Sequence, residues 1–408
     1  MTNPEKTFRL EAIYAAVQGS YWASACILNT FTAVYLSYRG LTNTQIGLAS
    51  SLLFIISILI QIFVSNFADS HSHIPLKKII IIMYIVAVIC CTVLWILPVP
   101  MALIIIVYSV ASATQRSVAG LASALMMQFL NIGLPVKYGW PRGIGSICFA
   151  LTAFITGIMV EKYTPDILMP IFIGVAVVAI TSVSFMPNPD RIKRQQRPQI
   201  IEEKVAEKAT SYRQMLRHNP TFILFLVGVF LLFTGLLSVM LFLIRVVEAL
   251  GGGAEELGIS MFIHSGFELP MLFASGWILK KFKVYDVLVF CFFCFFIKGL
   301  AMYFAPSIAA IYGIMVFNIF CVGIYAFASV VFVNSITKAS EKVRAQSFTM
   351  ACQAIGGVVG GYLGGAIIDS IGLKFLLMIS AIILFTAVLT MFLCRQVNIK
   401  QFPVQTQS

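Results

Sequence analysis

Residues 186–219 read MPNPDRIKRQQRPQIIEEKVAEKATSYRQMLRHN, the one long polar stretch in a chain of 408 residues. Eight basic residues between Arg191 and Arg217 stand there against Asp190, Glu202, Glu203 and Glu207. Everything around it is a succession of apolar runs, each near the ~20 residues that cross a hydrocarbon core as a helix. Six precede it, at roughly 10–38, 45–66, 79–97, 101–131, 138–160 and 167–185. Six follow, at 221–247, 257–279, 284–304, 307–333, 345–368 and 375–394. A mixed-charge segment between two equal sets of spans is a linker, with a short surface helix expected around 200–217. The organisation implied is an N-terminal six-helix bundle (1–185), a cytoplasmic linker (186–219), a C-terminal six-helix bundle (220–394) and a cytoplasmic tail (395–408).

Composition agrees. Hydrophobic residues make up 60% of the chain, charged residues 11%, and the mean hydropathy is +0.95. Ordinary soluble domains carry about 25% charged residues, so the fold class is an all-α integral membrane protein. The runs are continuous and not alternating, which excludes a β-barrel. Met1 to Arg9 are polar and lead straight into a full-length span, so no cleavable signal peptide is expected.

The net charge of +12 follows from topology. With the N-terminus inside, 21 of the 28 basic residues fall in cytoplasmic segments and only Arg39, Lys162 and Lys374 in outer ones. That asymmetry places both termini in the cytoplasm. It calls for no nucleic acid partner; the bilayer and a small solute are the partners implied, in a multi-pass protein of the plasma membrane, bacterial in kind. Nine cysteines lie in or at the ends of spans, and Cys291-Phe-Phe-Cys294 reads as small packing residues within an apolar helix. Four histidines, at 71, 73, 218 and 264, are too scattered for a metal or catalytic cluster. Neither an enzyme nor a cofactor is expected.

The chemistry therefore rests on the few ionisable groups inside spans, which are costly there and mark solute or proton paths. Glu268 is the carboxylate set deepest in an apolar run, Ile259-Ser-Met-Phe-Ile-His264-Ser-Gly-Phe-Glu268-Leu-Pro. A helix would put His264 and Glu268 on one face, where the pair could hold and release a proton. Arg116, Arg142, Arg245 and Lys298 are the basic counterparts. Arg116 lies fifteen residues into its span, roughly 22 Å by helical rise, and should face a cavity or a partner. In the first span Tyr14, Gln18, Tyr21, Trp22 and Asn29 recur at helical spacing, a polar-aromatic stripe suited to a cavity wall. Asn318 is a further candidate in span ten. The deep cations outnumber Glu268, which suits an anionic solute better than a neutral one.

The halves echo each other, as transporter repeats do. Gly40-Leu-Thr-Asn-Thr-Gln-Ile-Gly47 opens the second span and Leu250-Gly-Gly-Gly-Ala-Glu-Glu-Leu-Gly258 the eighth. Gly356-Gly-Val-Val-Gly360-Gly-Tyr-Leu-Gly364 is a small-residue seam that lets two helices approach closely.

Twelve spans around a cytoplasmic loop, with Asp69 followed by Lys77 and Lys78 after span two, resemble the major facilitator superfamily and its gating motif. The match to that motif lacks the leading glycine and the middle arginine. Within the superfamily, Tyr138-Gly-Trp-Pro-Arg142-Gly-Ile-Gly145-Ser-Ile-Cys-Phe149 is similar to span five of the lactose permease, or oligosaccharide–proton symporter, branch. That branch has nucleoside and phenylpropionate permease relatives. The resemblance implies that Arg142 binds substrate hydroxyls, that Phe149 stacks on a sugar ring and that Glu268, in Gly266-Phe-Glu268-Leu, binds substrate. It implies that Lys298 assists proton release and that the protein is a monomer. The chain departs from the branch where an acid is expected near Ala124. It also departs in span ten, where Asn318, Cys321 and Ile324 replace the usual charged groups, so lactose itself is not expected.

The function implied is alternating-access transport of a small polar solute, with proton-coupled uptake of a sugar or oligosaccharide foremost. Symport of a nucleoside or a small aromatic acid stands beside it. Efflux is disfavoured because span five lacks the proline expected in exporters, from Gly143 to Gly157. A non-transporting sensor or scaffold would be expected to carry a cytoplasmic signalling domain.

Overall fold

The computed structural model describes residues 4–70, 74–134, 136, 139–188, 219–338 and 341–401, and every regular element in them is helical. Most of the linker, including the helix expected at 200–217, lies outside the described residues, as do His71, His73, Lys137, Tyr138 and the chain end beyond Gln401.

Ten helices among the described residues are long and apolar enough to cross a bilayer. The sequence led us to expect twelve uninterrupted spans, and several are helical only in pieces. Span one consists of α1 (Pro4–Ala25), a π-helical turn (Cys26–Thr30) and α2 (Thr32–Tyr38). A π turn displaces carbonyls from the regular ladder. Here the Asn29 side-chain amide donates to the Ala25 carbonyl at 2.8 Å, and the hydroxyls of Thr32 and Tyr108 both donate to Leu28 at 2.6 Å.

Spans two to six are α3 (Asn43–Ser70), α4 (Leu76–Ile96), α5 (Met101–Asn131), α6 (Gly139–Lys162) and α7 (Leu168–Phe185). Span seven breaks at Phe242 into α8 (Pro220–Leu241) and α9 (Leu243–Ala249). Span eight breaks into α10 (Ala254–Gly266) and α11 (Leu269–Lys281). Pro270, which can start a helix but not sit inside one, follows that break. Then come α12 (Val284–Phe304), α13 (Ile308–Val316), a 3₁₀ turn (Phe317–Phe320), α14 (Val322–Ile336), α15 (Lys342–Ser370) and α16 (Leu373–Gln401).

The echo between the halves is deeper than the glycines suggested. Phe31 and Phe242 both break a span, Gly40 and Gly251 both adopt positive φ (83° and 84°), and Asn43 and Ala254 both open the next helix. All three pairs keep one offset, 211 residues. At the two glycines the left-handed backbone explains the residue type, because a Cβ would be strained there.

Contacts group the chain into two compact units. The first comprises Met1–Ile200 with Gly252–Gly266; the second comprises Ile201–Gly251 with Phe267–Ser408. In the first unit α6 is the central strut. Its Gly145 lies against the Trp22 indole, and its Gly157 against Gly258 of α10, where an added Cβ would stand 2.7 Å from the Ala254 carbonyl. The same seam carries Phe154 against Phe262 and a hydrogen bond from Ser265 Oγ to the Ser146 carbonyl. Glu161 closes it by accepting from the Ala254 amide at 2.9 Å, a carboxylate at a helix N-terminus.

In the second unit α15 lays Gly356, Gly360 and Gly364 along α8. A Cβ on Gly360 would stand 2.5 Å from the Thr234 carbonyl, so the glycine seam is a backbone-to-backbone contact. Phe222, Phe225, Phe292, Phe295 and Phe332 fill the space between α8, α12 and α14.

Candidate functional site

Each unit holds basic side chains inside its spans, and Arg142 in the first and Lys298 in the second have different surroundings. In the first unit Arg142 occupies the first turn of α6, the helix end whose dipole repels a cation. Its guanidinium lies 4.2 Å from the centroid of the Trp22 ring, a cation–π contact. One of its five N–H donors reaches Ser146 Oγ at 3.2 Å. Trp22 in turn meets Phe149 edge-on at 6.3 Å and Tyr21 at 5.3 Å between ring centroids. Gly145, one turn after Arg142, leaves the gap that the indole fills; a Cβ there would stand 2.3 Å from a Trp22 ring carbon. The indole N–H is buried and has no hydrogen-bond partner among the described residues.

Arg116 on α5 lies 4.6 Å from the Phe54 ring centroid, and both guanidiniums are within electrostatic reach of the Tyr21 hydroxyl. Among the described residues of the first unit no carboxylate pairs with Arg116 or Arg142. Beside Arg116, Gln115 Nε2 donates to Ser24 Oγ at 3.0 Å and to the Tyr21 carbonyl at 3.2 Å. Its Oε1 is buried without a partner.

Of the expected stripe on the first span, Trp22 belongs to this cluster. Tyr14 and Gln18 are buried, and Gln18 Nε2 donates to Tyr14 Oη at 2.6 Å. Asn29 serves the π turn. Glu11, not among the residues expected from the sequence, is buried and accepts from the Trp140 indole at 2.8 Å. It thereby ties α1 to the turn of α6 that carries Arg142.

In the second unit Lys298 and Asn318, named separately from the sequence, meet. Lys298 Nζ donates to Asn318 Oδ1 at 2.9 Å, and both residues are buried. The 3₁₀ turn of span ten is what swings Asn318 towards α12. Lys298 also borders a narrow recess whose other walls, among them Leu236, Met240, Phe295 and Leu384, are mostly apolar.

Glu268 needs a correction. The helix bearing His264 ends at Gly266, and Glu268 stands at the N-cap position of α11, partly exposed. The two residues lie on successive helices, not on one face of a single helix, because Gly266 and Pro270 interrupt the span. His264 falls in the first unit and Glu268 in the second.

The gating-motif residues divide. Lys77 donates to the Met186 carbonyl at 2.7 Å and so caps the end of α7, where a cation suits the helix dipole. Lys78 is exposed, and the Asp69 side chain lies outside the described residues. A third knot, absent from the sequence reading, joins the ends of spans one, three and six. Arg39 pairs with Asp166 at 3.1 Å and donates to Tyr35 Oη at 3.1 Å and to the Leu94 carbonyl. Among the described residues no group of His, Cys, Asp or Glu could hold a metal ion.

This helical frame matches solved transporters over nearly its whole length. A structure of the nucleoside transporter NupG superposes with a TM-score of 0.74 at 15% identity, covering 96% of this chain and 98% of that one. A point mutant of NupG gives 0.77 at 13% identity, covering 94% and 99%. A bacterial homologue of the human lysosomal transporter Spinster, inward-facing and unoccupied, gives 0.71 at 12% identity, covering 98% and 99%. At such identities the likeness speaks for the fold. No curated protein matches the chain. The sequence model of the MFS_1 like family matches residues 14–379, and the chain belongs to that family of major facilitator transporters.

Proposed function

We propose that the protein takes up a small polar solute in symport with protons, by alternating access of two six-helix halves (1–185 and 220–394) with both termini in the cytoplasm. The observation that carries the solute site is Arg142 held over the Trp22 ring, with Phe149 meeting the indole edge-on. A charged fork beside aromatic faces grips a ring that bears polar substituents. The resemblance to oligosaccharide–proton symporters makes a sugar the first class to test. The aromatic trio of Tyr21, Trp22 and Phe149 would stack on a nucleobase equally well, and NupG transports nucleosides, so a nucleoside is the second. Glu268 is the proposed proton carrier, with His264 and Lys298 as the other titratable groups of the path. Asp69, Lys77 and Lys78 are the proposed cytoplasmic gate. The monomer is the proposed working unit.

Reconstitution tests this reading. Adding solute outside proteoliposomes should alkalinise the medium, and Glu268→Gln should abolish that proton movement. Proton uptake that survives Glu268→Gln would remove Glu268 from the coupling path. Uptake that runs as fast without a pH gradient as with one would overturn symport.

A further inference from the structure

Spans eight and ten are both broken, and within the second unit the two breaks meet. Glu268 stands at the N-cap of α11, and Met271 is the third residue of that helix. Facing them is Gly323, the second residue of α14, just past the 3₁₀ turn of span ten. A Cβ on Gly323 would stand 2.9 Å from Met271 Cβ and 3.2 Å from the Glu268 carbonyl oxygen. Neither atom is the far end of a flexible side chain, so room could come only from a shift of the first turn of α11. Nearby glycines differ: a Cβ on Gly276 of α11 or Gly313 of α13 would meet nothing within 4 Å. Gly323 is a glycine because α14 must let the start of α11 in, and it fixes how closely the Glu268 backbone approaches.

Both sides of this contact are backed by packed structure. Met271 packs against the phenylalanine core between α8, α12 and α14. The turn that leads to Gly323 is tied to α12 twice. Lys298 Nζ donates to Asn318 Oδ1 at 2.9 Å, and the Cys291 thiol donates to the Cys321 carbonyl at 3.2 Å. Asn318 and Cys321 are both buried. The Glu268 carboxylate does not cap the helix it opens, so its place follows from where the N-cap backbone stands and not from the amides of α11. We propose that Gly323 is a positioning residue for Glu268, and that the Lys298–Asn318 contact acts on Glu268 through it, by bracing the turn from which α14 starts. This rests on the reading of Glu268 as proton carrier given above and adds the residue that sets where the carrier stands.

The test reads Glu268 itself and needs no solute. Full-length protein, isotope-labelled at the glutamate carboxyls, is placed in nanodiscs for NMR, and the Glu268 signal is assigned by its loss in Glu268→Gln. Its position and titration midpoint are compared in Gly323→Ala, Met271→Gly, the double variant and the controls Gly276→Ala and Gly313→Ala. From the 3₁₀ turn to the end of α14 the titratable side chains are Cys321 and Tyr325. None of the contact and control variants adds or removes a charge, so a moved midpoint reports a moved carboxyl. Gly323→Ala should shift the midpoint by about one pH unit or more, the usual spread between protein environments, and the controls should leave it in place. Met271→Gly vacates the same space from the α11 side, so the double variant should return part of the way to the parent, as residues in contact do. Size-exclusion profile and melting temperature identify a misfolded variant. If Gly323→Ala is one, Met271→Gly, which loosens the contact without adding atoms, should itself shift the signal and carries the comparison. A Glu268 signal that keeps its position and midpoint in both single variants overturns the positioning role, as does an equal shift in either control. A double variant displaced by the sum of the two singles overturns direct contact as the cause. Solute-driven proton uptake that survives Glu268→Gln, with the Glu268 signal still moved by Gly323→Ala, overturns the proton-carrier reading and leaves the placement of Glu268 by Gly323 standing.

Discussion

Arg142 and Lys298 are both basic residues inside membrane spans, and their surroundings differ in how far the protein itself satisfies the charge. Lys298 is buried and meets a buried amide oxygen at 2.9 Å. Arg142 is only partly buried, lies over an aromatic ring and, among the described residues, donates one of its five N–H groups, to Ser146. A cation that is satisfied from within holds its own unit together. A cation left incomplete is supported here by a ring face and one hydroxyl. The second unit thus carries a closed polar contact where the first carries an open one.

The sharpest way to break this contrast is to remove the open cation. Arg142→Gln should lower solute uptake by about 100-fold in kcat/KM or more, because hydrogen bonds to a charged group contribute about 1.5–3 kcal/mol each and the cation goes with them. The melting temperature should change little, since among the described residues this side chain makes one hydrogen bond and one ring contact. Uptake measured in proteoliposomes at matched protein content decides it. A variant that transports normally would put Arg142 in the same class as Lys298.

The closed contact should answer in the other currency, stability. Lys298→Met leaves Asn318 buried with a lost partner, a cost of about 1–3 kcal/mol. Converting both, as Lys298→Met with Asn318→Leu, should recover part of that loss, because neither residue then leaves the other unsatisfied. Thermal unfolding of the parent, the two single variants and the double variant closes the cycle. If the double variant is as stable as the parent but no longer couples uptake to protons, Lys298 works in transport and not only in packing.

How much of this could be read from the sequence depends on range. The span at 284–304 and the one at 101–131 coincide with α12 and α5, because an apolar run bounded by Lys283 or by Pro100 depends only on local composition. Breaks within spans were legible where the breaker was a residue with its own backbone rule. Gly266 and Pro270 stood in plain view around Glu268, yet the apolar run masked them. The breaks at Phe31 and Phe242 had no such signal, since phenylalanine is an ordinary helix residue; only the common offset of 211 residues exposes them as a repeat. Of the candidate site, Arg142, Trp22 and Phe149 were named from spacing and resemblance, and they do meet. Tyr14 and Gln18 had the same periodicity, but periodicity fixes a face and not what the face touches. Glu11, Arg39 and Glu161 were missed because each sits near a span end, where a charge is unremarkable until its partner is known. Glu161, for instance, acquires meaning only from the Ala254 amide 93 positions along the chain.

The smallest expected effect probes the open site most finely. Trp22→Phe keeps an aromatic face beneath Arg142 but deletes the indole N–H and weakens the cation–π contact, Trp being the strongest ring for it. Two consequences should run in opposite directions. Removing a buried donor that has no partner relieves a desolvation cost, so the melting temperature should hold or rise slightly, the gain offset by the volume lost beside Gly145. Solute affinity should fall about fivefold, near 1 kcal/mol, because the ligand loses one hydrogen bond and part of the ring contact. A stability gain with unchanged affinity would mean that the indole N–H is an internal defect that the solute never meets. A loss of both would mean that Trp22 chiefly fills the space left by Gly145. Only the opposed pair, stability held and affinity reduced, marks the N–H as a donor kept open for the solute, which is the property that sets this cluster apart from Lys298 and Asn318.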